Sequence, residues 1–438
     1  MRTVDPIQTE MALQKLVAVY VVTGLVFLLL PGTFLGVWSL VSISGQHSLG
    51  KLSPSWIQAH GHAQIFGWLA TFIIGIGYYS LSKMGGIMPF AASRGWMSWV
   101  LWTAGVTLRW IANVTELDWR LLLPLSAFLQ LAGFGIFFAT VSRHKPTASP
   151  AMRKPIEPWM KPVIASTVTL LVALAVNQVE AVVLAMTAAH PEIPHWLDQR
   201  YLFLAGWGFP VLAVWGFSAR WLPVFLGLRD PHGQKLMTAM AGLLAGLAAA
   251  VFGYFGAAAL LLFAASAVAA DALHIFRRSR KPAKTVGVSP LFPLFVRASY
   301  GWLLAAAALG VYAAYGDVHG GVWGASRHAL TVGFLATMVF SIGQRVLPAF
   351  CGMRLLYSKR LMGISLIMLN TGCALRVLSE IPAYEANLHL AWAILPISAV
   401  TELTAVTVFA LNMAITLVLP PPTPAVKRPV SFPILVQA

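Results

Sequence analysis

The chain is poor in charge. Asp, Glu, Lys and Arg together make up 10% of its 438 residues, against roughly 25% in soluble domains. So few charges cannot coat a water-soluble globule of this length, but they suffice for the ends of a helix bundle whose flanks face lipid. Cysteine is nearly absent. Cys351 and Cys373 stand alone, outside any CxxC or haem-attachment pattern, which excludes a disulfide framework and a covalently held c-type haem. Walker, GxSxG and HExxH motifs are missing as well. The apolar stretches are continuous rather than alternating, which excludes a spanning β-barrel.

What is present is apolar residue, 58% of the chain, with a mean hydropathy of +0.76. A helix needs ~20 residues to cross the hydrocarbon. The expected fold is therefore all-α: a polytopic membrane bundle of about twelve transmembrane helices. The spans read as 16–42, 57–82, 96–115, 119–142, 162–188, 200–222, 236–253, 255–276, 291–315, 325–350, 361–380 and 388–419. The stretch from Lys235 to Phe276 carries no charge before Asp271 and is long enough for two spans joined near Gly253. Residues 1–15 read as a polar N-terminus with no cleaved leader, 16–419 as the membrane domain, and 420–438 as a Pro-rich tail.

Loop charge orders this map. Connections after even-numbered spans hold the basic residues, among them Lys83 and Arg94; Arg143, Lys145, Arg153, Lys154 and Lys161; Arg220, Arg229 and Lys235; Arg277, Arg278, Arg280, Lys281 and Lys284; and Arg354, Lys359 and Arg360. Alternate connections gather the acids Glu116, Asp118, Glu192, Asp198, Asp317, Glu380 and Glu385. The basic loops are expected on the cytoplasmic side of a bacterial inner membrane, with both termini there. The net charge of +16 thus reads as topology and contact with lipid headgroups rather than affinity for nucleic acid.

Eight of the eleven histidines fall at the opposite, outer side: His47, His60, His62, His190, His195, His319, His328 and His389. Histidines at one depth, contributed by several helices, are what a haem or metal site in a bundle requires. Two segments stand out: Gln58-Ala-His-Gly-His-Ala-Gln-Ile-Phe-Gly-Trp68 and Ser326-Arg-His-Ala-Leu-Thr-Val-Gly-Phe334. Small neighbours (Gly61, Ala63, Gly67; Ala329, Gly333) would let a flat macrocycle approach the backbone. His60 and His62 point ~200° apart on a helix, so both serve one site only if the helix start unwinds. Otherwise one of them faces elsewhere. His47, His190, His195 and His319 read as interfacial histidines.

These two segments resemble the NnrS family, membrane haem proteins associated with nitric oxide metabolism, and also subunit I of haem–copper oxidases, especially the cbb type. The resemblance implies an oxidase subunit I-like bundle holding a low-spin haem b. Its iron ligands would be His60 and His328, a bis-histidine pair, with His62 a further candidate. The family's high-spin haem ligand falls on Ser326, and the copper-ligand positions of spans six and seven carry no histidine. NnrS implies copper too, for which only His62, His195 or His389 remain. The resemblance further implies a quinol or cytochrome electron donor, and nitric oxide or oxygen as a ligand.

Charges within spans usually have partners. Arg109 and Arg376 lie in the outer parts of their spans and are matched either to haem propionates or to an inter-helix salt bridge, for instance with Glu180. Asn177, Gln178 and Glu180 form a polar notch, and Glu402 is the deepest acid. Two other classes stay open: a secondary transporter with Arg109, Glu180 and Glu402 along its path, and a terminal reductase with an unorthodox centre.

Overall fold

The computed structural model describes residues 6–48, 52–84, 92–142, 156–352 and 354–419. Among the described residues there are twelve helical rods and no strand. They are α1 (6–46), α2 (54–84), α3 (Ala92–Thr115), α4 (Trp119–Ser142), α5 (Met160–Thr187), α6 (His195–Leu226), α7 (Gly233–Val251), α8 (Phe255–Ala272), α9 (Phe292–Gly316), α10 (Gly321–Phe350), α11 (Lys359–Ala386) and α12 (His389–Val418). Ten are long and apolar enough to cross a membrane. The other two, α2 and α3, carry His60, His62 and Arg109. In hydrocarbon only a helix satisfies all its backbone polar groups internally, so long apolar runs fold this way. The chain is a membrane protein whose outward-facing apolar side chains contact lipid.

The rod ends follow local chemistry. Ser358 caps α11 by accepting from the Leu361 amide at 3.2 Å, and Asn387 closes the same rod in a left-handed conformation (φ 47°). The Lys235–Phe276 stretch divides at Phe252–Tyr254, as its length required. One boundary differs widely from expectation. α1 starts at Pro6, because Glu10 lies within the bundle and accepts from the Tyr79 hydroxyl at 3.1 Å. The tail 420–438, His144, and the basic residues Arg143, Lys145, Arg153 and Lys154 lie outside the described residues.

Each rod packs on its neighbours in sequence, and α12 returns to α1. α6 and α10 are the most enclosed of the ten apolar rods, with 83% and 72% of their membrane windows buried. Together with α2 they form an inner group joined by aromatic contacts. Phe66 stacks on Tyr201 (6.2 Å between centroids), Trp68 meets Phe340 edge-on (6.2 Å), and Phe203 meets Trp323 (5.6 Å). One end of the bundle is basic. The other holds Glu116, Asp118, Glu192 and Asp317 in its turns, and is here called the acid-rich end.

Among the described residues the helices widen in five π-helical stretches: Leu28–Phe34 in α1, Ala63–Ala70 in α2, Leu204–Gly208 in α6, and Ala329–Ala336 and Val339–Gly343 in α10. Such stretches are rare and concentrate at functional sites. Two begin immediately after His62 and His328. The one in α1 contains Pro31, which cannot donate to the helical ladder.

Candidate functional site

His60 is the seventh residue of α2 and His328 the eighth of α10, so both lie about two turns from the acid-rich end. Each ring is anchored in the same manner. His60 donates from Nδ1 to the carbonyl of Gly32 in α1 at 2.9 Å. His328 donates from Nδ1 to the Gly324 carbonyl at 3.0 Å, with Glu380 Oε2 at 3.4 Å. A carbonyl only accepts, so Nδ1 carries a proton, and in the neutral imidazole the Nε2 lone pair is then free. Among the described residues neither Nε2 has a hydrogen-bond partner. This is the arrangement of metal-ligating histidines, whose other nitrogen is held by a carbonyl or carboxylate.

The two histidines share surroundings. His60 lies within electrostatic reach of His328 and Arg376. Protein surrounds His60, yet His60, His328 and Glu402 each keep some exposed surface. Glycines make the approach close. A Cβ on Gly36 would stand 2.5 Å from Cε1 of His60. A Cβ on Gly324 would collide with the Glu380 carboxylate, which needs that gap to reach His328.

Arg376 pairs with Glu380 at 3.0 Å, one turn apart on α11, and both are buried. Its Nε and Nη1 are buried without a partner. Two orphaned guanidinium donors beside paired imidazoles form a receptor for a carboxylate. Glu402 of α12 packs against Gly372 with Oε1 unpartnered, within reach of His328 and Arg376. The donor set fits a haem: two imidazole nitrogens without partners, orphaned arginine donors for a propionate, and Gly36 against the His60 ring.

His62 and Arg109 stand elsewhere. His62 points across α2 to α4, where its Nε2 bonds Gln130 Oε1 at 2.9 Å and its ring stacks on Phe66 at 4.5 Å. Arg109 lies within reach of His62 and donates to Asn177 Oδ1 at 3.1 Å instead of pairing directly with Glu180. Arg109 Nε, Asn177 Nδ2, Gln178 Oε1, both Glu180 oxygens and the Tyr201 hydroxyl are buried without partners. Donors and acceptors orphaned side by side are what buried water satisfies. Arg327 links the two groups. It hydrogen-bonds Gln199 and lies within reach of Asp198 on one side and Glu380 on the other.

The remaining candidates are peripheral. His47 stacks on Trp392 (5.3 Å) and against His389 (5.6 Å). His190 and His319 make exposed contacts with Glu116 and Glu385. Ser326 donates to the Ala306 carbonyl at 2.8 Å. Among the described residues no three His, Cys, Asp or Glu side chains are grouped to hold a metal ion. Sequence reading missed Gln130 and the pairing of Glu380 with His328. A glutamine inside the apolar run 119–142, and the i,i+4 spacing from Arg376 to Glu380, were the available signals.

Comparison with known proteins bears on the fold. Residues 202–418 match a family model described as a domain of unknown function, DUF8744, and not that of NnrS. No curated protein matches the chain. Among solved structures, the chain is similar to one described as a cryo-EM structure of a haem–copper terminal oxidase dimer, with a TM-score of 0.64 and 14% identity, covering 94% of this chain and 85% of that one. The fold is the haem–copper oxidase subunit I-like bundle that the two histidine segments led us to expect.

Proposed function

We propose that this chain is a membrane haem protein that carries electrons through one b-type haem held between His60 and His328. The observation that carries this reading is the matched state of the two imidazoles. Both are pinned through Nδ1 to a carbonyl, neither Nε2 has a partner among the described residues, and the two rings lie within electrostatic reach of each other. A bound haem would supply one-electron exchange between ferrous and ferric iron. The chain's own residues do the rest. Gly32 and Gly324 fix the tautomers and ring planes, and Glu380, behind His328, makes that imidazole a stronger donor. Arg376 offers its orphaned donors to a propionate. No cysteine attachment motif exists, so the group would be held by these contacts alone.

A haem held by both His60 and His328 would favour electron transfer over gas binding, which needs an open iron position. His62 gives its Nε2 to Gln130, so it does not compete for the iron. Basic loops at one end argue for a bacterial inner membrane, with the site near the periplasmic face and both termini cytoplasmic. A quinol or a cytochrome suits the role of donor. Nitric oxide binding, suggested by the likeness to NnrS, becomes the better reading if one axial bond is labile. A terminal reductase would turn over oxygen or nitric oxide, and a transporter would carry no chromophore.

The test is an absorption spectrum of protein purified from haem-replete cells, oxidised and reduced, with and without nitric oxide. A six-coordinate b-type spectrum that nitric oxide leaves unchanged supports electron transfer. Conversion by nitric oxide moves the reading to gas binding. A colourless protein rejects both.

A further inference from the structure

We infer that the loop joining α8 to α9 at the basic end binds the phosphate headgroup of an anionic lipid. This loop, residues 273–291, borders a shallow, open cleft of about 680 Å³ lined by Arg277, Arg278, Arg280, Lys281 and Arg297, with Phe276 at its edge. The nearest acid is already taken: Asp271 pairs with Lys235 at 2.6 Å and Arg277 at 3.2 Å. Arg278, Arg280 and Lys281 have no acidic partner among the described residues. Cations converging on one cleft without a counter-charge are a receptor for an anion, and guanidinium forks suit phosphate oxygens.

The cleft is built into the fold. Arg297 of α9 donates to the Ile275 carbonyl at 3.0 Å and to Ser279 Oγ at 2.9 Å, folding the loop back onto its own helix. The amides of Arg280 and Lys284 bond the carbonyls of Gly227 (2.8 Å) and Phe225 (2.9 Å) at the end of α6. Arg345 clamps the far side by donating to the Lys284 carbonyl at 2.6 Å. A loop fixed at three points presents its charges with little ordering cost.

Position selects the lipid over free phosphate. The cleft lies between the ends of two helices, α8 and α9, that are long and apolar enough to cross a membrane, where headgroup phosphates would meet it. Phe276 is 55% exposed and Leu294, in the first turn of α9, is 60% exposed, so apolar surface flanks the cations at the same end. Basic pockets at helix ends on the charged side of a membrane bind anionic headgroups, at about 1 kcal/mol per cation.

The test uses the intact chain in phosphatidylcholine nanodiscs titrated with phosphatidylglycerol or cardiolipin, with retained lipid read by native mass spectrometry. Wild type is expected to retain the anionic lipid in preference to phosphatidylcholine. Arg278→Gln with Arg280→Gln and Lys281→Gln should weaken retention about a hundredfold. Arg229→Gln with Lys359→Gln and Arg360→Gln, removing three charges from the same end outside the cleft, should leave it within about threefold. Equal loss in both triple variants would reduce the effect to surface potential and overturn the site. Equal retention of phosphatidylcholine by wild type overturns it without any variant. So does displacement of the lipid by inorganic phosphate at comparable concentration, which would mark a free-anion site.

Discussion

His60 and His62, two residues apart on α2, bond to different neighbours of that helix: His60 through Nδ1 to Gly32 of α1, His62 through Nε2 to Gln130 of α4. A regular helical turn puts ~200° between them, and the helix stays regular through His62 before widening at Ala63. One helix therefore serves two polar regions. On the proposed reading, the first holds the iron and the second holds water around Arg109 and Glu180.

His62→Ala should accordingly keep the haem complement and lose stability. It strips Gln130 of its partner and removes the ring that stacks on Phe66. An orphaned buried amide costs about 1–3 kcal/mol. Thermal unfolding of the purified variant, monitored beside its haem absorbance, separates the two effects.

Gly36→Ala should disturb the site from outside it. The new methyl would stand 2.5 Å from Cε1 and 2.7 Å from Nδ1 of His60, so the ring must move and its bond to Gly32 is strained. Overpacking of this kind costs about 1–3 kcal/mol, and haem retention should fall with it. Gly45→Ala, on the same rod with nothing within 4 Å of the new atom, should change neither. Haem-to-protein ratios of the two variants make the comparison.

Glu380→Gln should be among the costlier single changes. It leaves Arg376, buried at 8% exposure, without its counter-charge and takes the carboxylate from behind His328. Breaking one side of a buried pair costs about 3–5 kcal/mol. The variant should also bind haem ten- to hundredfold more weakly, as losses behind a metal ligand do. Denaturation and haem titration of the apoprotein read the two quantities.

Asn412→Ala provides the contrast. Asn412 accepts from the Ser358 amide at 3.0 Å and donates to Gln344 Oε1 at 2.7 Å and to the Ser358 carbonyl at 3.0 Å, tying α12 to α10 and to the start of α11. Inter-helix hydrogen bonds in membranes contribute about 0.6–2 kcal/mol. The variant should unfold at lower temperature with its haem spectrum intact.

The rods were legible in the sequence because hydrocarbon permits few structures, and each crossing leaves an apolar run with opposite loop chemistry at its ends. The boundary at Pro6 was hidden because Glu10 and Gln14 read as loop residues while Tyr79, far along the chain, supplies a partner for Glu10. His60 and His328 were named as a pair through the resemblance of their two segments to known membrane haem proteins. The split of His62 and Arg109 from that pair was not readable, since it depends on which rods flank α2. Trp119, at the start of α4, is 8% exposed and packs with Leu123, Ala181 and Ile193, contacts that span length and composition do not reveal. The π-helical stretches leave no periodic mark in sequence, because one added residue shifts a face without changing composition.

The most direct test of the account is the haem content of purified wild type, His60→Ala and His328→Ala, expressed with ample haem and measured per folded chain. The account predicts one haem per wild-type chain and its loss from each variant, with the helical content unchanged. A full haem complement in either variant would contradict it.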